Sequence, residues 1–139
     1  MNHRTTALTT LFLALASAAF TARAETCIDV VVDNVRPQQG FLLVAAFGSA
    51  QDFGKTPLAR LRLPAGEARM SFQLCGLSGS DVALTLFQDL DGDGKMSRNL
   101  LGVPSEPWGA SGAPGTFGPS WDTARVALDG KPVPVKLSQ

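Results

Sequence analysis

The sequence predicts an all-β fold: an antiparallel, seven-stranded β-sandwich carrying one long Asp-, Gly- and Pro-rich loop. Three observations predict it. Apolar residues recur with a period close to two through most of the chain, which is the signature of strands with one buried face. Clusters of Gly, Pro, Asp and Ser punctuate these runs at short intervals. No segment after residue 24 carries a helical period of useful length. Seven short strands with frequent turns are the pattern of two packed sheets.

Each strand follows from its own alternation. Ile28, Val30 and Val32 alternate with Asp29, Val31 and Asp33, and Arg36-Pro37-Gln38-Gln39-Gly40 then turns the chain. Phe41 to Phe47 is apolar on both faces, as a central strand is. After a polar loop over 48–57, Ala59, Leu61 and Leu63 alternate with Arg60 and Arg62. Pro64-Ala65-Gly66-Glu67 is a tight turn, and Ala68, Met70, Phe72 and Leu74 alternate with Arg69, Ser71, Gln73 and Cys75. After a turn over 76–80, the fifth strand runs from Asp81 to about Gln88, with Val82, Leu84 and Leu86 on one face. Residues 89–120 have neither period. Two last strands, with Ala124, Val126 and Leu128, then Val133, Val135 and Leu137, are expected to form a hairpin through Asp129-Gly130.

The first 24 residues read as a secretory signal peptide. Arg4 lies near the start, an apolar run extends from Ala7 to Phe20, and Ala22-Arg23-Ala24 has the small-residue pattern of a cleavage site. The run is shorter than the roughly 20 apolar residues that span a bilayer. Cleavage after Ala24 removes 24 of 139 residues and leaves 115, which is one domain. It removes Arg4 and Arg23 from 12 basic residues, leaving 10 against 12 acidic ones, a net charge of −2. A weakly acidic chain lacks the electrostatic footprint for nucleic acid. With no second apolar stretch and no basic run, membrane insertion after cleavage is not expected. The expected location is the periplasm or the extracellular space.

Cleavage also removes His3, the single histidine, and the chain has no Tyr. Catalysis by Ser-His-Asp or Cys-His needs an imidazole to carry the proton, so both are excluded. So are His-ligated zinc and copper. Cys27 and Cys75 are too few for a cysteine-only zinc site, and Glu25-Thr26 before Cys27 lacks the small residue of a lipid-attachment signal. In an oxidising compartment the two are expected to form a structural disulfide. Closing about 49 residues, it contributes on the order of 4 kcal/mol by restricting the unfolded chain. Both cysteines fall on the polar faces of their strands.

Asp89-Leu90-Asp91-Gly92-Asp93-Gly94-Lys95-Met96-Ser97-Arg98-Asn99 carries the chemistry. Three carboxylates at spacing two, followed by glycine, make the first half of a calcium loop. Calcium takes six to eight oxygens at roughly 2.3–2.6 Å, and alternate residues of a tight loop can aim their side chains at one point. Gly94 permits the bend that turns the Lys95 carbonyl inward. Ser97 stands where a ligand often acts through water, and Asn99 is a further oxygen donor. Where a calcium-binding helix–loop–helix unit has a bidentate Glu at position twelve, this chain has Leu100. Glu106 is the nearest carboxylate that can replace it. The candidate ligand set for Ca²⁺ is therefore Asp89, Asp91, Asp93, Lys95 (through its carbonyl), Ser97, Asn99 and Glu106. An acidic hairpin turn without a cation is the plainer alternative.

Other residues have structural readings. Trp108, Phe117 and Trp121 are expected to pin the long loop to the sandwich edge, with a stacking surface for glycan or peptide as the alternative. Phe41, Phe47, Phe72 and Phe87 read as core. Arg60, Arg62 and Arg69 are expected to share one polar face across a hairpin, solvated or paired with Asp29 and Asp33, with a surface that attracts an anionic ligand as the alternative.

Four stretches in order resemble the domain of unknown function 2141 family (DUF2141) of small secreted bacterial proteins. They are the strand–turn–strand of Ile28 to Phe47, the aspartate loop Asp89 to Asn99, the segment Leu101 to Ser111, and Pro119-Ser120-Trp121-Asp122-Thr123-Ala124. The loop is similar to that family's D-x-N-x-N-G-K-x-D-x-N pattern, departing from it at Asp91, Asp93 and Ser97. Leu101-Gly102-Val103-Pro104-Ser105-Glu106-Pro107-Trp108-Gly109-Ala110-Ser111 is similar to its G-I-P-x-E-x-Y/W-G-x-S segment. Cys75 has no counterpart the family requires. The resemblance implies a β-sandwich of the prealbumin-like kind, immunoglobulin-like in strand count, and a location outside the cytoplasm. It implies no activity.

The functional expectation is an exported, soluble binding or interaction module with a calcium-ordered loop and a protein or glycan partner. A structural envelope protein without metal is the alternative. A small carboxylate-dependent glycoside hydrolase, using Glu106 and a loop aspartate, is the least favoured; no enzymatic activity is expected.

Overall fold

The computed structural model describes residues 25–113, 115 and 118–138; the segment read as a signal peptide, and Phe117, lie outside them. Alternation produces the strands where the sequence places them: β1 (Thr26–Asp33), β2 (Phe41–Phe47), β3 (Ala59–Pro64), β4 (Arg69–Leu77) and β5 (Asp81–Asp89). Three further strands follow, β6 (Trp108–Ala110), β7 (Arg125–Ala127) and β8 (Val133–Lys136), with one helical turn, α1 (Trp121–Ala124), before β7. Ser120 caps that turn with its side chain, taking the Thr123 N–H, and Thr123 reciprocates.

Among the described residues these eight strands form two sheets. One is three-stranded, in the order β4-β1-β8. The other is five-stranded, β3-β2-β5-β6, with β7 paired to the opposite half of β5. Their inner faces share one core. Val30 and Val32 of β1, Leu74 of β4 and Val133 and Val135 of β8 meet Leu42 and Val44 of β2 and Val82, Leu84 and Leu86 of β5. Burial of these apolar faces is what holds the layers together, at about 1.5–3 kcal/mol for each fully buried large side chain.

Six expectations are corrected. There are eight strands, not seven, because β6 lies inside the stretch that shows no period; three residues are too few to display one. The arrangement is not wholly antiparallel, since β8 runs parallel to β1, Val30 opposite Val133 and Val32 opposite Val135. The last two strands do not form a hairpin. Asp129-Gly130 does turn the chain, but it carries it from β7 on the larger sheet to β8 on the smaller one. Ala124, expected in a strand, closes α1. The turn at Pro64–Glu67 likewise passes between sheets, so Arg60 and Arg62 do not share a face with Arg69. The expected pairing with Asp33 does hold for Arg69, whose guanidinium lies 3.4 Å from that register partner on β1. Phe47 is buried and Phe72 packs against the core, but Phe41 and Phe87 are half-buried on the far side of the larger sheet.

The disulfide joins Cys27 and Cys75, 48 residues apart, across β1 and β4 where their register shifts. Both residues lie on the outer side of the small sheet, half-buried.

Candidate functional site

The site begins at the end of β5. Asp89 is opposite Phe41 on β2, and its side chain is fully buried. Its backbone carbonyl lies against Gly40, where an added Cβ would come within 1.9 Å of it; the turn before β2 therefore needs a glycine, as its φ of +63° also requires.

From there the loop folds on its own carboxylates. One oxygen of Asp89 accepts the N–H of Gly92 and the other that of Gly94, both at 2.9 Å. Asp91 accepts the N–H of Asp93 at 3.1 Å, and Asp93 that of Lys95 at 2.7 Å. Gly94, at φ +78°, has no atom near its missing side chain, so backbone conformation and not space calls for glycine there. Glu106 then returns from the far side. It is 6% exposed, and its two oxygens accept the N–H groups of Leu90 at 2.8 Å and Ser97 at 2.9 Å. One carboxylate thus ties both limbs of the loop to the segment that leads into β6.

Asp89, Asp91 and Glu106 each bring one carboxylate oxygen within 4.8 Å of the others. Oxygens bound to one calcium at about 2.3–2.6 Å lie up to roughly 5 Å apart, so the triangle has the right size. Each ionised carboxylate has about four acceptor positions. The amide bonds of Asp89 and Glu106 therefore leave lone pairs for a cation. Among the described residues no salt bridge involves any of the three. The N–H groups of Leu90, Gly92, Asp93, Gly94 and Ser97 point at these carboxylates.

The other sequence candidates are placed differently. Asp93 is exposed and is not part of that triangle. Lys95 is exposed beside it. Ser97 contributes its N–H to Glu106 and its carbonyl to Ser105. The Asn99 side-chain oxygen accepts the N–H groups of Leu101 and Val103, which uses both its lone pairs and closes a separate turn. That turn holds Leu100 and Leu101 out in solvent, 106% and 87% exposed. Position twelve of the calcium-type pattern thus points away from the site, and Glu106 comes in from six residues later.

Two structural polar residues escaped the sequence reading. Gln88 is fully buried. Its amide donates to the carbonyls of Arg36 and Gln39, both at 2.7 Å, and accepts the Arg36 N–H at 2.8 Å, clamping the β1–β2 turn. The signal was present, since Gln88 continues the inward series Val82, Leu84, Leu86 as its one polar member. Ser111, also fully buried, accepts the Leu84 N–H and donates to the Ala124 carbonyl, binding α1 to β5. It ends the segment that resembles the family's G-x-S pattern, but no period around it marks it as buried. Trp121 packs with Phe53 on Ala83, Ala110 and Ala124, a small second core on the outer face of the larger sheet. Trp108 is half-buried in β6.

Comparison with known families matches residues 30–136 to the family described as "Uncharacterized protein conserved in bacteria (DUF2141)". The chain belongs to the DUF2141 family. The match runs from the middle of β1 to the end of β8 and contains the whole acidic loop. Neither the curated proteins nor the solved structures yield a match.

Proposed function

We propose that this DUF2141 chain is an exported β-sandwich domain, prealbumin-like or immunoglobulin-like, whose acidic loop takes up Ca²⁺ and which serves as a binding or interaction module. The observation that carries the proposal is the convergence of Asp89, Asp91 and Glu106 within 4.8 Å, two of them buried, without a salt-bridge partner among the described residues. Like charges held this close favour a cation that offsets them. Water and loop carbonyls would complete the six to eight oxygens calcium requires. The role is non-catalytic: a chain without histidine after export has carboxylates as its chief acid–base groups, and here they accept backbone N–H groups. Periplasmic or extracellular residence accords with the signal-like leader and the disulfide. No helix of the described residues is long and apolar enough to cross a membrane.

The test compares the melting midpoint in millimolar calcium and in chelator, alongside a calorimetric titration. At a calcium concentration of 100 times Kd the native state gains about 2.7 kcal/mol, roughly a 10 °C rise for a domain of this size. Asp91→Asn, at an exposed position, should reduce that rise while leaving the midpoint in chelator unchanged. Equal midpoints with no heat of binding would remove the cation from the proposal.

A second reading has its own observation. Every oxygen of Asp89 and Glu106 already accepts a backbone N–H, so these carboxylates also suit a purely structural envelope protein that binds no metal. The same calorimetric titration separates the two.

A further inference from the structure

In a two-layer fold the outer face of a sheet ordinarily meets water and carries polar side chains. The larger sheet departs from this. With Leu42, Val44 and Ala46 of β2 turned inward, Leu43 and Ala45 face out, in register with Phe87 and Thr85 of β5. On one side Arg62 adjoins Leu43 and Arg60 adjoins Ala45; on the other, Trp108 adjoins Phe87. One row across the sheet therefore reads Arg62, Leu43, Phe87, Trp108. Four strands at about 4.8 Å spacing make it roughly 14 Å long.

Loops wall this row. Gly54, Lys55 and Pro57 stand on one side, and Gly94, Met96 and Val103 of the acidic loop on the other. Two half-open clefts of about 480 and 580 Å³ result, meeting at Thr85 and Phe87. Both volumes fall in the range of small-molecule sites, about 300–1,000 Å³. The charge is one-sided. Lys55, Arg60 and Arg62 line the first cleft and Arg98 the second, while no described carboxylate lines either. Among the described residues no salt bridge engages these four cations. The Arg62 guanidinium rests 3.5 Å above the Phe41 ring, which orients it while leaving its in-plane N–H donors available to an anion.

We propose that this groove binds a small amphiphile with an anionic head, its aliphatic body lying on Leu43, Phe87 and Trp108 and its carboxylate at Arg60, Arg62 and Lys55. The proposal rests on reading the domain as a binding module and names its ligand class; it does not depend on the cation. The floor disfavours the other partners. β2 and β5 are paired on both sides, so a peptide strand finds no free main-chain groups to join. Between the arginines of β3 and Trp108 of β6, Thr85 is the one polar side chain among the described floor residues, and the remaining polar groups of the lining are cations, which favour an anion over a sugar's neutral hydroxyls.

The probe is dodecanoate, titrated in chelator into the protein expressed from its full chain, and followed by calorimetry and tryptophan fluorescence. Saturable one-to-one binding is expected, with dodecyltrimethylammonium at least tenfold weaker. The Arg60→Ala/Arg62→Ala double variant should lose at least tenfold in affinity while its melting midpoint falls by no more than about 4 °C, since both side chains are exposed and only the Arg62 stacking on Phe41 is lost. Ala45→Trp should abolish binding by filling the floor. Absence of saturable dodecanoate binding, equal binding of the cationic amphiphile, or an undiminished double variant would overturn the proposal. Calcium chloride is titrated separately. Calcium binding without dodecanoate binding overturns the groove alone, and dodecanoate binding without calcium binding retires the cation and leaves the groove standing.

Discussion

Three polar side chains on or near β5 do most of the positioning around the candidate site. Asp89 and Glu106 collect four backbone N–H groups between them, and Gln88 makes three hydrogen bonds to the turn before β2. Gln88→Ala should therefore cost about 2 kcal/mol in a urea titration, because it strands partners that are partly buried and leaves a void. A loss below about 0.5 kcal/mol would mean that water takes over the amide's role. At this scale the sequence was half-legible. The aspartate spacing marked Asp89 and Asp91, and Glu106 stood out as the nearest spare carboxylate. Asn99 carried the same oxygen chemistry, yet its two neighbours' N–H groups claimed it first. Which acceptor a free N–H meets depends on the turn that forms, and residue type alone does not give the turn.

Among the elements, β5 is the organiser: it pairs with β2 along its length, with β6 at Thr85–Phe87 and with β7 at Asp81–Ala83. The β1–β2 turn is fitted tightly against its end. Gly40→Ala should destabilise the domain by more than about 2 kcal/mol, since it combines a left-handed φ with contact against the Asp89 carbonyl. A midpoint of thermal melting within a degree or two of the parent would contradict that fit. The β1–β4 pair carries the disulfide. Closing a loop over a sequence separation of 48, it contributes on the order of 4 kcal/mol, to be read as the stability difference between oxidised and reduced, alkylated protein. The five strands up to β5 were visible as alternation. β6 was not, and the pairing of β7 and β8 was misread because an Asp-Gly turn looks the same within a sheet and between sheets.

For the whole molecule, the balance of 12 basic and 12 acidic residues conceals a separation of charge. Acidic groups gather in the loop after β5, and cations without a salt bridge among the described residues gather beside the apolar floor that the same loop helps to wall. If calcium orders the loop, it does so at the carboxylates, while the floor and the arginines of the groove lie on β2, β3, β5 and β6. The calcium-dependent rise in melting midpoint should then be accompanied by slower hydrogen exchange at the amides of Leu90, Gly92, Gly94 and Ser97, which hydrogen-bond to the carboxylates of Asp89 and Glu106. Exchange that is unchanged at these amides while the midpoint rises would put the cation elsewhere.

The sequence by itself determined the all-β class, the strand positions up to β5, the cysteine pair and the location of the acidic loop. These rest on local period and spacing, which alternation and turn chemistry express within a few residues. Only the tertiary structure decided that β8 runs parallel beside β1 and that Phe41 and Phe87 face outward. The physical reason is common to both. Each depends on which of two apolar faces finds the shared core, and that choice is made by burial between segments far apart in the chain.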